Sequence, residues 1–407
     1  MIKLFDTKNI YGTFGLERET LRVTSDGYMA QTPHPFPDDE HIVKDFCENQ
    51  AEINTGVHNT AQGAINELKK HSERLKEKIK KRGELLWMYS NPPHIKNEND
   101  IPVAVYEGDQ KSKHSYRKYL AEKYGKYKMT LSGIHVNYSL SEELLKDAFS
   151  KSDYSDYTEF KNSAYLRLAQ GLTEYGWIIN LLLSASPVCD GSYLNPKQIR
   201  ETVITEYASV RCGKEGYWND FTPVLSYDSI LSYADSIQKY IDNGSLAGVG
   251  ELYYPIRLKP KGVNRLNNLV QNGVNHIELR NIDINPFAEE GIDVRDLEFL
   301  ELLMLWIFCT YEKNLSETDQ IRAVENFKNS ALYDIDNTTI PADNNKKESL
   351  RTAGLRILSE MREFFVDSST LQYQFQKLTK QDARYADKVR ANLKDNYINK
   401  VIYRRMK

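Results

Sequence analysis

Along residues 14–23, "FGLERETLRV", a strand period of two places Glu17, Glu19, Leu21 and Val23 on one face and Leu16, Arg18, Thr20 and Arg22 on the other. The same period marks 128–140, where Ile134, Val136 and Tyr138 oppose His135, Asn137 and Ser139. It marks 275–284 as well, where Ile277 and Leu279 oppose His276, Glu278 and Arg280. Residues 45–54 and 250–260 also predict strands. Helical spacing governs 61–83, where Ile65, Leu68, Leu75 and Ile79 form an apolar stripe and Gly83 a stop. Further helices are expected over 115–127, 158–184, 293–313, 318–330 and 348–366. "SNPPHI" (90–95) reads as a break, 335–349 as a loop, and the chain after 370 as a polar, basic end.

Strands scattered among helices without a βαβ rhythm predict an α+β fold with a largely antiparallel sheet. No repeat and no linker into a second core is visible, so the expectation is a single domain over 1–407, mostly helical from about 293. Hydrophobic residues make up 40% of the 407 and charged residues 27%, a soluble globular balance. With 54 basic and 57 acidic residues, the chain lacks the basic excess of a nucleic-acid binder. The apolar runs at 177–183 and 299–311 are too short or too interrupted to span a bilayer, and the N-terminus lacks a signal-peptide pattern. The four cysteines, at 47, 189, 212 and 309, show no CxxC spacing, which predicts reduced thiols and a cytoplasmic location. Neither nucleic acid, nor membrane, nor an obligate protein partner is expected.

The chemistry begins with Glu17 and Glu19. Two like charges side by side on a strand repel by roughly a few tenths of a kcal/mol. A water-facing strand tolerates that; a hard cation between the carboxylates would turn the repulsion into a binding site. In "KDFCENQAEINT" (44–55), Glu48 and Glu52 share strand parity but Asp45 and Glu52 do not. Asp45 and Glu52 point the same way only if the chain bulges or turns between them. His135 is either a hydrogen-bonded boundary residue or part of a polar cavity. Glu278 and Arg280 form either an ion pair or adjacent metal and phosphate sites. Arg117 and Arg211 offer planar forks for carboxylate or phosphate, and Tyr217 lies in a Gly-flanked loop. Cys212 reads as a packing residue rather than a nucleophile. There is no GxxxxGK[ST], GxGxxG, GxSxG or HExxH, so phosphates would have to be held by metals and arginines.

Taken together, "GLERETLRV", "DFCENQAEINT", "YRKYLAEKYGK", "SGIHVNYSL", "LSASP", "SVRCGKEGYWN", "GELYYPIR" and "HIELRNIDINPFAEEGID" resemble, in order and approximate spacing, the bacterial glutamate–cysteine ligase family. The resemblance covers about residues 12–310. It implies a glutamine-synthetase-like curved antiparallel sheet forming a funnel surrounded by helices. It also implies ATP-dependent joining of the glutamate γ-carboxylate to the amine of cysteine through a γ-glutamyl phosphate, the first step of glutathione synthesis. A γ-glutamyl ligase acting on a different amine is the alternative. By matching position, Glu17, Glu19, Asp45, Glu52, His135 and Glu278 would bind two or three Mg²⁺, with Mn²⁺ as a substitute. Arg280 and Arg117 would face the phosphates and Arg211 the glutamate, while Tyr116, Tyr217 and Tyr253 would line the acceptor pocket. From the length, a stand-alone ligase without a fused ATP-grasp domain is expected.

Overall fold

The computed structural model of the protein describes residues 11–195, 201–341 and 346–393. Its strands are β1 (Gly12–Thr24), β2 (Ile42–Lys44), β3 (Gln50–Asn54), β4 (Glu84–Leu86), β5 (Gly133–Leu140), β6 (Val188–Asp190), β7 (Thr202–Ile204), β8 (Ile256–Lys259), β9 (His276–Asp283), β10 (Thr339–Pro341) and β11 (Lys347–Ser349). The main sheet runs β2-β3-β1-β5-β9-β8, with β4 paired to β1, and every pairing is antiparallel. It is an open sheet with helices around it, an α+β fold.

The period of two decides what each sheet face meets. Phe14 and Leu16 of β1, Ile53 of β3, Ile134 and Val136 of β5, Ile277 and Leu279 of β9 and Leu258 of β8 are buried in one core. The helix Ala61–Lys80 packs there on β1, β3 and β4, and the helices Tyr157–Tyr175 and Trp177–Leu183 pack on β8 and β9. Thr60 caps the first of these by accepting from Gly63 N, and Leu68, Leu75 and Ile79 are its buried stripe. The other sheet face carries Glu17, Glu19, Glu52, His135, Glu278 and Arg280. A smaller apolar cluster flanks it, including Leu21, Val23, Phe46, Cys47, Trp87 and Tyr253.

The structure corrects several boundaries. Residues 45–54 are not one strand: β2 and β3 pair as a hairpin with 45–49 as its turn. The strand expected over 250–260 is confined to Ile256–Lys259, and that over 128–140 starts at Gly133. The helix over 158–184 is broken at Gly176, whose missing side chain leaves room for the Leu172 carbonyl and the Phe327 ring. The loop over 335–349 includes the β10–β11 pair, and its residues 342–345 lie outside the described residues. After 370 the chain is not merely a polar end, since helices cover Ser369–Thr379 and Tyr385–Leu393. No helix among the described residues is long and apolar enough to cross a membrane.

Candidate active site

Antiparallel register assembles the site. Glu19 lies opposite Glu52 across β1 and β3, Glu17 opposite His135 across β1 and β5, and Arg257 opposite Glu278 across β8 and β9. Between Ile134 and Val136 the β5–β9 pairing shifts, so His135 faces both Arg280 and Asn281. Such a bulge re-aims the strand. Beyond it Ile282 returns to the apolar core opposite Ile134, and Asp283, opposite Gly133, accepts from Ala185 N (2.9 Å), Ser186 Oγ (2.7 Å) and Ser209 Oγ (3.0 Å).

Eleven of the twelve candidate side chains line one cavity of about 220 Å³: Glu17, Glu19, Asp45, Glu52, His135 and Glu278, with Arg117, Arg280, Tyr116, Tyr217 and Tyr253. The hairpin turn brings Asp45 to the same cavity as Glu52 despite their parity. Glu48 goes elsewhere, accepting from Lys44 Nζ (3.0 Å), Val105 N (2.7 Å) and His34 N (3.2 Å). Arg211 is the exception. It lines a smaller adjoining space of about 30 Å³ with Tyr217, Tyr253 and Arg280. Its guanidinium lies against Gly133, where an added Cβ would sit 2.2 Å from Cζ. The water-facing reading of 14–23 does not hold: β1 runs between β3 and β5, and Glu19 is 7% exposed.

The charges are segregated. Around Glu278 gather Arg280 at 3.0 Å, Lys259 at 3.6 Å and Arg257 at 3.7 Å. Burial opposes ionisation there, but Arg280, Arg257 and Lys259 overcome it and hold the Glu278 carboxyl well below the usual range. At the other pole burial and neighbouring acids raise the carboxyls. Burial and then the Asp45 charge push Glu19 up to about 7. Burial, then Glu17 and Asp45, hold Glu52 well above the carboxylate range. Burial also raises Asp45, against the pull of Arg117 and Arg280. Glu17 is lowered instead, its burial outweighed by the hydrogen bond from His135 and the charge of Lys259.

Burial and then Arg280 bring His135 down to about 4, so the ring is neutral. Its Nδ1 lies 3.0 Å from Glu17 Oε2, while Nε2 has no hydrogen-bond partner and stands 3.5 Å from Glu19 Oε1. Glu17, His135 and Glu278 each offer a ligand atom within 4.8 Å of the others, and Glu278 Oε2 is also without a hydrogen bond. Orphaned donor atoms among surplus carboxylates fit a divalent cation.

The tyrosines form the remaining wall. Tyr217 and Tyr253 have ring centroids 4.3 Å apart, and the hydroxyls of Tyr116 and Tyr253 are buried without a partner. The thiols are not activated. Burial and then Asp283 raise Cys212 to about 11, and burial keeps Cys47 high as well. Arg257 and Lys259 were not singled out from the sequence. "YYPIRLK" shows alternation, but which β9 residue faces which β8 residue depends on register.

A family model described as glutamate-cysteine ligase matches residues 6–247 and 245–330. The chain belongs to the glutamate–cysteine ligase family. It is 34% identical over 366 residues to the glutathione biosynthesis bifunctional protein GshAB of Listeria welshimeri, covering 87% of this chain and 47% of that protein. It is likewise 34% identical over 370 residues to the GshAB of Clostridium perfringens, with the same coverages. This member of the glutamate–cysteine ligase family thus spans about half the length of those relatives. Among solved structures, the glutamate–cysteine ligase of Francisella tularensis in complex with AMP superposes with a TM-score of 0.87 at 23% identity, over 98% of this chain and 88% of that one. A bifunctional glutathione synthetase from Pasteurella multocida gives 0.81 at 24% identity, over 97% and 52%. At those identities the likeness speaks for the fold.

Proposed function

We propose that the protein is an ATP-dependent ligase joining the γ-carboxylate of glutamate to the amine of cysteine. The observation that carries this reading is the polarised cavity: surplus acids at Glu19, Asp45 and Glu52 face a cluster of Arg280, Arg257 and Lys259 around Glu278. One pole suits cations and the other suits phosphates, which is what phosphoryl transfer without a P-loop requires. Family membership narrows the chemistry to γ-glutamyl transfer onto an amine.

In this reading Glu17, Glu19, Asp45, Glu52, His135 and Glu278 hold divalent cations, Mg²⁺ or Mn²⁺, which would neutralise the triphosphate. Arg280 and Arg117 stabilise charge on the transferring phosphoryl group. Arg211 fixes the glutamate α-carboxylate, directing the γ-carboxylate oxygen at the terminal phosphorus of ATP. ADP leaves and γ-glutamyl phosphate forms. The neutral amine of the acceptor then attacks the acyl carbon, loses a proton and expels phosphate. Tyr116, Tyr217 and Tyr253 wall a small acceptor pocket, where the buried Tyr116 hydroxyl is free to donate to its carboxylate. Burial and then the Glu251 charge push Tyr116 up to about 12, so it stays a donor at neutral pH.

The experiment is glutamate- and ATP-dependent phosphate release, screened over amino acids as acceptor, with the product identified by mass. Cysteine should be preferred, 2-aminobutyrate should react more slowly, and bulky amino acids should be rejected. A methylene in such a pocket is worth about 1–3 kcal/mol. An equal rate with an unrelated amine would leave a γ-glutamyl ligase of other specificity, and no phosphate release with any acceptor would end the ligase reading.

A further inference from the structure

Three of the chain's eight histidines gather outside the acidic cavity, around Glu67 on the helix Ala61–Lys80. Glu67 and His71 are four residues apart and project from one side of that helix. His41, from the segment entering β2, stacks on His71 with ring centroids 4.3 Å apart. His58 brings Nε2 to 2.6 Å from Glu67 Oε2. Among the described residues, two groups of three His, Cys, Asp or Glu side chains have ligand atoms all within 4.8 Å of one another. One is Glu17, His135 and Glu278; the other is His41, Glu67 and His71.

The hydrogen bonds identify the free lone pairs. His41 Nδ1 lies 2.9 Å from the Asn54 carbonyl oxygen, which can only accept, so Nδ1 carries the proton and Nε2 keeps its lone pair. A carbonyl behind an imidazole is how proteins commonly orient metal-binding histidines. Glu67 Oε2 accepts from Gly56 N (2.8 Å) and His58, whereas Oε1 has the longer 3.3 Å contact with His71 Nε2. Burial opposes the charge on Glu67, but hydrogen bonds from His58, Gly56 and His71 bring its carboxyl down to about 2, an anion at neutral pH. Arg74 donates to His71 Nδ1 at 2.9 Å, which puts the His71 proton on Nε2. To ligate through Nε2, His71 has to switch tautomer, Arg74 has to turn away, and one of the two stacked rings has to tilt so that both in-plane lone pairs meet at one ion. Arg74 already pairs with Asp39 and is 40% exposed, so it has both a partner and room.

We propose that His41 Nε2, Glu67 Oε1 and His71 Nε2 form a second metal site, suited to a transition cation such as Zn²⁺ rather than to Mg²⁺. Two imidazoles and one carboxylate are the donor set of such cations. Bond lengths near 2.0–2.2 Å require the ligand atoms to close to roughly 3.5 Å. The tautomer switch moves a proton within His71 and releases none. The site also adjoins the cavity: His41 hydrogen-bonds the Asn54 carbonyl, and the Asn54 amide donates to Glu52 at 2.9 Å.

The test is a Co²⁺ titration of the full chain, stripped of metal and then saturated with Mg²⁺ so that the acidic cavity is filled. One equivalent of Co²⁺ should bind with visible d–d bands, Zn²⁺ should displace it, and Zn²⁺ should raise Tm. Glu67→Gln and His41→Gln should each lose the bands and the Zn²⁺-dependent Tm shift, and His135→Asn should keep both. His41→Gln leaves the Glu67–His71 contact in place and therefore reports even if Glu67→Gln lowers stability. Unchanged bands in His41→Gln, loss in His135→Asn instead, or no bound equivalent under Mg²⁺ would overturn the site. The cluster would then be a metal-free hydrogen-bonded clip between the hairpin and the helix.

Discussion

Two groups of buried charge in this protein are built on opposite plans. Under the helix Val294–Thr310, Asp296 is met by Lys377 Nζ at 2.7 Å, Gln374 Nε2 at 2.9 Å and Tyr385 Oη at 2.7 Å. Lys377 also donates to the Leu182 carbonyl at 3.2 Å. One anion matches one cation, and both are 2% exposed or less. In the sheet cavity the charges are sorted instead of matched: three cations crowd Glu278, while burial and then the Asp45 charge raise Glu19, and burial, then Glu17 and Asp45, raise Glu52. A matched buried pair holds helices together; an unmatched one awaits something from solution.

The largest effect should come from the unmatched side. Glu19→Gln and Glu278→Gln keep shape and remove a charge, and ligase turnover should fall by roughly two orders of magnitude or more. Glu19→Gln should leave Tm without divalent cations unchanged or higher, since it removes a mutually repelling acid. Full turnover in either variant removes that residue from the chemistry. Lys377→Met tests the matched side. Leaving Asp296 buried and unpaired should cost about 3–5 kcal/mol in denaturant unfolding, with the Michaelis constants of the folded enzyme unchanged. If Lys377→Met is neutral for stability, the contrast between the two groups fails.

Gly133→Ala sharpens the cavity side. The new Cβ would meet the Arg211 guanidinium at 2.2 Å, so the arginine must move. The Michaelis constant for glutamate should rise about tenfold or more, and that for ATP should move little. An equal rise for both would place Arg211 outside glutamate binding. The smallest effect concerns Glu301, whose carboxyl burial pushes up to about 7, against the hydrogen bond from Tyr138. A folded pKa above the unfolded value stabilises at low pH, and that stability is lost as pH rises through about 7. Wild type should therefore lose more Tm than Glu301→Gln between pH 5 and 8.

The α+β fold and its longest strands were legible because β1, β5 and β9 alternate apolar and polar residues over an apolar core. Other features follow from information that periodicity does not carry. The β2–β3 hairpin hides within 45–54 because strand and turn residues are interleaved there. Arg257 and Lys259 join the cavity through a register that only pairing fixes. The helix Ser369–Thr379 escaped notice because its buried side includes Thr370, Gln374 and Lys377 with Leu371 and Leu378, so no apolar stripe marks it. The gathering of the candidate side chains into one cavity follows from their strand parity, with Asp45 delivered by the turn. Arg211, set one space aside behind Gly133, comes from a loop whose path no periodicity describes.

β1 works on both of its faces. Glu17 and Glu19 serve the cavity, while between them Arg18, fully buried, pairs with Glu290 at 3.0 Å on the opposite side. Such a strand tolerates change only in steps of two. Losing or gaining one residue within 16–22 would exchange the two sets, sending carboxylates into the apolar core and Leu16 and Arg18 toward the cavity. Point substitutions can drift along this segment during divergence, but single-codon insertions and deletions should be absent from it in every functional descendant, and a library of one-residue indels would map β1 as a sharp gap in tolerance.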